Sequence, residues 1–581
     1  MYGDYEIRTL PLTLKSARTR LEQFLATCDL RLDPVDYYAV VSHADDDQIL
    51  AGGGLQGNVI KCVAVSDELR GTGMMQSLLS HLLSTAREHG HQEVRVFTKP
   101  DNQAIFESLG FKLLASAPKA IFMENAMGGL VDYCNYLKGL RRPGENGMIV
   151  MNANPFTLGH QALIDHASGL VDSLYVIVVR EDCSRFSYAD RLAMVKGGCS
   201  HLENVVVCEG SDYAISAATF PTYFLKQLSD ATDTQILLDL DLCCRHLAPA
   251  LGAKIRFVGS EPTDAVTARY VELMQTQLPQ YGMRVDVMPR VSRDGVTVSA
   301  SLDRHHLSDG HLSSALPMVP ATSVPYLISE LARRALQIEL ETTPKPGLVD
   351  QHDNGSHRDM DMDVMQRSIE ALRPMFDQLS LLGTSRKLPM GEFLQRLGVT
   401  AEQRMLQATG GVNTHRGALF SLGLALIAAT HTWYLHDAID ANTVRQFIIE
   451  LANGIVPVDN GSHGRQAIAA HHVTGALELA RQGYPTLFSD WLSYYGNLEG
   501  DPYREHKTLL RIMSTLDDTN VIHRVGYEMA QQVKEKSRQL LSDFSLEGLE
   551  AMNQQFITRN ISPGGAADML SLTIFLHSIT N

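Results

Sequence analysis

Two patterns of apolar and polar positions divide this chain. Up to about residue 325, short apolar runs alternate with longer stretches in which apolar residues recur every three or four positions. The short runs predict buried strands, and the longer stretches predict amphipathic helices. From residue 326 to 581 the helical spacing dominates, and strand-like alternation is nearly absent. We therefore expect α/β material first and an all-α domain at the end.

The middle of the chain carries most of the strand-like runs. They are residues 148–151, 174–179, 204–208, 235–240, 255–259 and 284–289. Strands separated by helices predict a parallel sheet covered on both faces, and such sheets bind ligands at the carboxyl ends of their strands. A proline-rich stretch, 316–325, precedes the change of pattern and marks a domain boundary. The expected domains are 1–125, 126–325 and 326–581.

Composition narrows the class of protein. With 581 residues, 44% of them hydrophobic and 20% charged, the chain is typical of a soluble multidomain protein. The net charge of -16 argues against non-specific nucleic-acid binding, which needs a basic face. The N-terminus lacks a basic-then-apolar signal, and no long uninterrupted apolar run suggests a membrane span. We expect a cytoplasmic protein with neither nucleic-acid nor membrane partners.

Residues 148–160, MIVMNANPFTLGH, join an apolar run, a polar turn and the start of a helical stretch. Backbone N–H groups at a helix start favour anions, and Gly159 permits close approach of a ligand. Thr157 and His160 can each donate a hydrogen bond to a phosphate. An ordinary turn with a capping threonine and a surface histidine explains the short motif equally well.

The longer string resembles known enzymes. Asn-Pro-Phe-Thr-Leu-Gly-His160 resembles the H/T-x-G-H signature of nucleotidyltransferases, and residues 151–164 resemble citrate lyase ligase more closely. Val298-Ser-Ala-Ser-Leu-Asp-Arg304 resembles the element that closes the nucleotidyltransferase site. The stretches 180–191, 218–223 and 258–262 also resemble citrate lyase ligase. The last two speak against a nucleotidyltransferase of coenzyme A synthesis.

This resemblance implies that acetate attacks the α-phosphorus of ATP, with Mg²⁺ bridging the phosphates. Acetyl-AMP would then acylate a thiol on the acyl carrier subunit of citrate lyase. The implied catalytic residues are His160, Thr157 and Arg304. The implied nucleotide-binding residues are Asn154, Gly159, Arg191, Gly259, Glu261, Ser299 and Ser301.

The first segment has its own resemblance. Arg70-Gly-Thr-Gly73 and the stretch 102–111 resemble the acetyl-CoA-dependent N-acetyltransferase (GNAT) fold, in which such a turn binds the pyrophosphate of CoA. The resemblance implies an α+β fold for residues 1–125. Met75 stands where a small residue is usual, so an acyl-transfer role and a docking role both remain open.

The last segment resembles triphosphoribosyl-dephospho-CoA synthase. The resemblance rests on residues 343–350, 354–361, 409–423, 517–524 and 561–568, above all on Gly410-Gly-Val-Asn-Thr-His-Arg-Gly417. It implies that ATP reacts with dephospho-CoA and releases adenine. The implied catalytic acids are Asp350, Asp359 and Glu402, and the implied Mg²⁺ ligands are Asp350, Asp359, Asp361 and Glu402. The implied substrate-binding residues are Lys345, Gly410, Gly411, Asn413, His415, Arg416, Asp518, Asn520, Arg524, Gly564 and Gly565.

One stretch departs from the second family. Leu477 stands where that family usually has an arginine. Arg481 lies four residues later, so on a helix it shares a face with Leu477 and could supply the missing charge. The resemblances to citrate lyase ligase and to triphosphoribosyl-dephospho-CoA synthase together predict a bifunctional enzyme of citrate lyase maturation. The alternative is a scaffold for citrate lyase subunits in which one or both activities are lost.

Overall fold

The computed structural model describes the chain except residues 1–4, 44–47, 181–183, 216–219, 222, 226–228, 261–263, 294 and 457–472. The chain forms two compact units, Met1–Val298 and Ser299–Asn581. The first unit is α/β, and the second is rich in helices. The expected multidomain architecture is therefore present at this level. The finer division at residues 125 and 325 stays a prediction.

The first sheet of the N-terminal unit has seven strands. They are β1 (Tyr5–Thr9), β2 (Tyr37–His43), β3 (Ala51–Gln56), β4 (Val59–Val65), β5 (Val94–Thr98), β6 (Lys112–Ser116) and β7 (Ile121–Asn125). Their spatial order is β1-β2-β3-β4-β5-β7-β6. Neighbours run antiparallel except β4 and β5, which run parallel.

Helices cover both faces of this sheet. They are α1 (Lys15–Thr27), α2 (Met74–Glu88) and α3 (Gln103–Ser108). The turn at Arg70–Gly73 leads directly into α2, whose leucines at 78, 79, 82 and 83 are all buried, as their spacing predicts. On the opposite face Phe97 of β5 stacks on Phe122 of β7, with ring centroids 4.4 Å apart. Phe220, from the middle of the chain, packs edge-on against Phe97 at 5.5 Å.

The second sheet holds the phosphate-binding motif. Its strands are β8 (Asn146–Met151), β9 (Ser173–Val178), β10 (Val205–Cys208), β11 (Ala253–Gly259) and β12 (Arg284–Met288), in the order β10-β9-β8-β11-β12. All neighbours run parallel. The surrounding helices are α4 (Leu130–Leu140), α5 (Leu158–Ser168), α6 (Tyr188–Gly198), α7 (Ser229–Leu242), α8 (Ala248–Leu251) and α9 (Ala265–Gln277). A two-stranded hairpin, β13 (Ser292–Arg293) and β14 (Val296–Thr297), follows.

The strand expected at residues 235–240 is wrong, because this segment lies within α7. An apolar run alone does not distinguish a buried helix from a buried strand. Two aspartates in and next to the run have structural roles that favour the helix. Asp239 accepts a hydrogen bond from Ile215 N at 2.9 Å, and Asp241 accepts one from Ser116 N at 2.8 Å.

The second unit consists, over its described residues, of helices and connecting loops. The helices are α10 (Ala300–Asp309), α11 (Leu312–Ala315), α12 (Val324–Glu341), α13 (Met362–Leu382), α14 (Gly391–Ala408), α15 (Arg416–His436), α16 (Ala441–Gly454), α17 (Ala476–Arg481), α18 (Leu492–Asn497), α19 (Arg504–Met513), α20 (Thr519–Val525), α21 (Tyr527–Ser542), α22 (Leu546–Thr558) and α23 (Gly564–Thr580). Helices α12, α13, α15 and α23 pack against one another at the centre. The connecting loops place the polar motifs at the ends of these central helices.

Helix α15 is long and apolar enough, by length and composition, to cross a membrane. However, 78% of its most apolar window is buried inside the protein. Helices in the core of a globular protein share this property, since a helix buried on all sides is apolar all round.

Candidate active sites

The turn after β8 is organised by a reciprocal capping arrangement. Thr157 is the N-cap of α5, and its hydroxyl accepts a hydrogen bond from His160 N. In return, Thr157 N donates to His160 Nδ1 at 3.1 Å. Because Nδ1 accepts this bond, a neutral His160 ring carries its proton on Nε2. The capping box therefore fixes both the orientation of the ring and its tautomer.

Arg191 lies beneath the same turn and is fully buried. Its Nη1 donates to Asn152 O, Asn152 Oδ1 and Val179 O, each at 2.7 Å. Nearby, Asn154 Oδ1 accepts a hydrogen bond from Phe186 N at 3.2 Å. These contacts give Arg191 and Asn154 positioning roles in the turn, and their expected contact with nucleotide stays a prediction.

The glycines expected near the nucleotide have space around them. A Cβ atom placed at Gly159 would lie 3.6 Å from Thr157 Oγ1 and 3.7 Å from Val298 Cγ1, which are ordinary contacts. A Cβ atom at Gly259 would meet no atom of the described residues within 4 Å. The fold itself therefore does not require glycine at either position. Glu261 lies outside the described residues.

The serine–arginine motif begins the second unit. Ser299 is the N-cap of α10, and its side chain accepts a hydrogen bond from Leu302 N. Arg304 Nη2 donates to Ser301 Oγ at 2.9 Å, and burial lowers the pKa of the Arg304 guanidinium. The motif thus forms the helix start that its sequence predicts.

A buried ion pair stands at the centre of the second unit. Lys345 Nζ donates to Glu339 Oε1 at 2.5 Å, and the two side chains are 1% and 4% exposed. The carboxylate of Asp350 closes the loop after Lys345. One of its oxygens accepts a hydrogen bond from Lys345 N at 2.8 Å, and the other accepts one from His352 N at 2.8 Å. Because its oxygens are engaged by backbone groups, Asp350 holds the loop around Lys345.

His415 lies next to this ion pair. It is 3% exposed, and its Nδ1 shares a 2.8 Å hydrogen bond with Ser368 Oγ. Its Nε2 has no hydrogen-bond partner within the part of the chain that the structure describes. Burial, aided by the positive charge of Lys345, lowers the pKa of His415 to about 3.

The Gly410–Arg416 turn around His415 faces solvent. Gly410 and Gly411 have φ angles of 70° and 93°, so the turn itself requires glycine there. Asn413 is exposed. Arg416 Nε pairs with Glu402 Oε1 at 3.1 Å, and Glu402 lies within α14.

Asp518 joins the start of two helices. Its carboxylate accepts hydrogen bonds from Asn520 N at 2.8 Å, within α20, and from Ala566 N at 2.9 Å, within α23. A Cβ atom at Gly565 would lie 3.0 Å from the Asp518 carboxylate, and one at Gly564 would lie 2.9 Å from Asn520 Nδ2. These glycines therefore allow α23 to approach Asp518 closely.

Asp568 is a site residue that the sequence did not single out. Burial raises its pKa well above the usual range, and the charges of Asp518 and Glu339 add to the effect. A Cβ atom at Gly417 would lie 1.9 Å from Asp568 Oδ2, so only glycine fits there. Two signals in the sequence were available. Asp568 lies one helical turn after Gly564 and Gly565, and a glycine, Gly417, directly follows Arg416.

A second polar group surrounds Arg524. Its Nη1 donates to Ser356 O at 2.9 Å, and its Nη2 contacts His357 Nδ1 at 3.3 Å. His357 Nε2 in turn lies 2.8 Å from Ser562 Oγ, and burial lowers the His357 pKa to about 4. The exposed carboxylate of Asp359 acts electrostatically on both Arg524 and His357.

The acids expected to bind Mg²⁺ have separate partners. Asp350 and Glu402 are engaged as described above, and one oxygen of Asp361 caps α13 through Val364 N at 2.8 Å. Within the described residues, no three His, Cys, Asp or Glu side chains form a group that could hold a metal ion. Mg²⁺ commonly uses only one or two carboxylates together with substrate phosphates. These acids therefore suit only a metal ion that arrives with a phosphate.

Arg481 does not supply a free charge near Leu477. Its Nη2 donates to Ile455 O at 2.9 Å, and its Nε donates to Ala452 O at 3.5 Å. The guanidinium therefore satisfies carbonyl groups at the C-terminal end of α16, which is a common role for arginine.

We predict that the second unit loses stability as the pH falls. The folded-state pKa of His415 is depressed to about 3, below its unfolded value of about 6.5, so the unfolded chain binds more protons between these values. The contribution of His415 is therefore fully present above about pH 6.5 and is lost progressively towards pH 3. Urea unfolding of the intact protein at pH 7.5 and 5.0 measures the change. The variant His415→Asn should flatten it, and an identical pH dependence in that variant would contradict this origin.

Three family models match this chain. Residues 22–120 match an acetyltransferase (GNAT) domain, residues 146–327 match the citrate lyase ligase C-terminal domain, and residues 325–581 match ATP:dephospho-CoA triphosphoribosyl transferase. These matches confirm the three resemblances that the sequence motifs indicated.

Individual relatives match this chain over nearly their full lengths. A citrate (pro-3S)-lyase ligase of Haemophilus influenzae is 38% identical over 314 residues, which is 53% of this chain and 94% of the relative. The citrate (pro-3S)-lyase ligase of Klebsiella pneumoniae is 39% identical over 54% of this chain and 93% of its own length. A probable 2-(5''-triphosphoribosyl)-3'-dephosphocoenzyme-A synthase of Azotobacter vinelandii is 35% identical and covers 46% of this chain and 96% of its own. The chain therefore belongs to two families, the citrate lyase ligases in its first part and the triphosphoribosyl-dephospho-CoA synthases in its second.

Proposed function

We propose that this chain is a bifunctional maturation enzyme of citrate lyase. One part activates acetate with ATP and acetylates the prosthetic-group thiol of the lyase's acyl carrier subunit. The other part makes triphosphoribosyl-dephospho-CoA, the precursor of that group. The observation that carries the proposal is that one chain covers 94% of a citrate lyase ligase and 96% of a synthase.

In the ligase reaction an acetate oxygen attacks the α-phosphorus of ATP, and the bond to pyrophosphate breaks. Such a transfer depends mainly on positioning and on stabilisation of charge. His160 Nε2–H, oriented by the capping box, would donate to an α-phosphate oxygen. The N-terminus of α5 would add its backbone N–H groups. Ser299, Ser301 and Arg304 are proposed to hold the departing phosphates.

In the synthase reaction a ribose hydroxyl of dephospho-CoA attacks C1 of the ATP ribose. The new C–O bond replaces the bond to adenine, and adenine leaves with a proton. Asp568, whose pKa is raised by burial, is suited to give that proton. Asp518 would stabilise positive charge on the ribose, and Lys345, Arg416 and Arg524 would bind the triphosphate.

The proposal includes features of fold and partners. The parallel sheet would be a Rossmann-like nucleotide-binding domain within 126–325, and residues 326–581 would form an all-α domain. Mg²⁺ bound to the triphosphates would neutralise their charge, with the exposed Asp359 and Asp361 open to it. The protein would act in the cytoplasm on acetate, ATP, dephospho-CoA and the carrier subunit.

Two assays on one preparation test the function. Acetate-dependent exchange of pyrophosphate into ATP reports the ligase, and adenine released from ATP and dephospho-CoA reports the synthase. We expect both activities, with Asp518→Asn abolishing only adenine release. A folded protein with neither activity would instead support the scaffold alternative.

We also predict that Gly159→Ala stabilises the protein while it weakens the ligase reaction. Alanine at this helix position fits the protein, and it favours helix by about 1 kcal/mol relative to glycine. A phosphate approaching the backbone would meet the added methyl group, so the KM for ATP should rise at least about tenfold, the equivalent of about 1.4 kcal/mol. Thermal unfolding and exchange kinetics check the two effects. Gly169→Ala, at the other end of α5, is the control, and unchanged ATP kinetics in Gly159→Ala would place the phosphate elsewhere.

A further inference from the structure

A buried arginine in the parallel sheet has unsatisfied donors. Arg256 lies in β11, pairs in register with Met148 of β8, and is 5% exposed. Among the residues that the structure describes, its Nε and Nη1 have no hydrogen-bond partner. Burying an ionised group without a partner costs several kcal/mol or more, so evolution rarely retains one without use. Arg256 therefore presents donors that could bind an anionic ligand.

Asp239 of α7, an acid that interacts electrostatically with Arg256, is already engaged. Asp239 Oδ1 accepts a hydrogen bond from Ile215 N at 2.9 Å, and Oδ2 accepts one from Tyr270 Oη at 2.5 Å. Among the described residues, no carboxylate oxygen lies within 4.0 Å of an Arg256 nitrogen. Asp239 and Arg256 interact electrostatically at longer range, and Arg256 Nε and Nη1 stay without a hydrogen-bond partner among the described residues.

Arg256 and Asp239 both line a cavity that is otherwise largely apolar. Its apolar walls are formed by Val150, Ile177, Val179, Ala214 and Leu247. The cavity has a volume of about 20 Å³, so only a ligand of a few atoms fits. Val150 and Val179 stand at the carboxyl ends of β8 and β9, where the turn carrying Asn154 and Thr157 also begins.

We propose that this cavity is the binding site for the carboxylate substrate of the ligase, a monocarboxylate of two carbons. Arg256 would donate charge-assisted hydrogen bonds from its guanidinium N–H groups to the carboxylate oxygens, a contact for which arginine is suited. The apolar walls would enclose the methyl group and exclude longer chains. This proposal rests on the ligase activity proposed above and adds to it the residues that select the acid.

The first test is Arg256→Gln in the full-length protein. Loss of a charge-assisted hydrogen-bonded pair, about 1.5–3 kcal/mol, corresponds to a rise of about tenfold to a hundredfold in the KM for acetate. The KM for ATP should stay within about twofold, a split that a merely structural role would not give. Arg284→Gln is the matched control, because that arginine lies in the neighbouring strand β12, is 70% exposed and pairs with the exposed Glu145.

The second test is chain-length selectivity. Ile177→Ala removes three carbons from the wall while leaving Arg256 in place. Since one methylene in an apolar pocket is worth about 10–200-fold in discrimination, the preference for acetate over propionate should fall by about tenfold or more. Ile177→Ala also tests the proposed acetate site if the Arg256→Gln protein fails to fold.

Direct binding separates this proposal from the proposed activity. Acetate alone, observed by saturation-transfer NMR without ATP, should bind the wild-type protein and not Arg256→Gln. If the wild-type protein shows this binding but no acetate-dependent exchange, the ligase activity fails and the binding site stands. Absence of acetate binding to the wild type, or unchanged acetate kinetics in Arg256→Gln together with unchanged selectivity in Ile177→Ala, would overturn the proposal.

Discussion

Replacing His160 with alanine is expected to lower acetate-dependent ATP–pyrophosphate exchange by about a hundredfold to a thousandfold. Removal of one preorganised donor to a developing negative charge typically costs about 2.7–4 kcal/mol in the barrier. The effect on folding should be smaller, about 0.5–2 kcal/mol, because the variant loses only one side of a capping box. Exchange kinetics and thermal unfolding on the same preparation measure both effects.

Helix α5 offers a matched control for this prediction. His166 lies on the same helix, is 42% exposed, and contacts Asp286 at 3.2 Å. The variant His166→Ala should keep near wild-type exchange. A folded His160→Ala protein with the same exchange rate as His166→Ala would refute the role of His160.

The second large effect is expected from Lys345→Met in the synthase part. This change leaves the Glu339 carboxylate buried without its cation, which typically destabilises a protein by about 3–5 kcal/mol. Adenine release should also fall, because the triphosphate loses a proposed positive partner. Urea unfolding and the adenine assay measure the two losses.

A double variant separates the two roles of Lys345. In Lys345→Met/Glu339→Leu no unpaired charge remains, and apolar replacement of a buried pair is often neutral or stabilising. Stability should therefore recover while adenine release stays low. If adenine release recovered together with stability, Lys345 would be structural only.

The sequence pattern predicts the architecture better than it predicts individual elements. The parallel strands at 148–151, 174–179 and 255–259 are found close to their expected bounds, since short apolar runs bounded by polar turns have few other solutions. Residues 235–240 satisfy the same rule but form a helix, because the partners of Asp239 and Asp241 come from distant parts of the chain. Such tertiary partners are not visible in a local pattern.

The same limit applies to the candidate sites. Thr157 and His160 belong to one local motif, so their mutual capping could be anticipated from their spacing. Asp568 and Arg256 could not be anticipated in the same way, since each acquires its character from burial among residues far away in sequence. The spacing of Arg481 from Leu477 suggests a shared role, and the hydrogen bonds of Arg481 to carbonyl groups at the end of α16 could not be anticipated from that spacing, so the shared role stays a prediction.

The aromatic contacts between the seven-stranded sheet and the middle of the chain bear on how this protein could have evolved. Phe97 and Phe122 of the sheet share a core with Phe220 and Tyr223, and Tyr223 Oη donates to Phe97 O at 3.3 Å. A gene that lost the first 125 codons would expose this apolar surface on the remaining ligase. Selection for a folded ligase therefore preserves the acetyltransferase-like sheet even in a lineage where it transfers no acyl group.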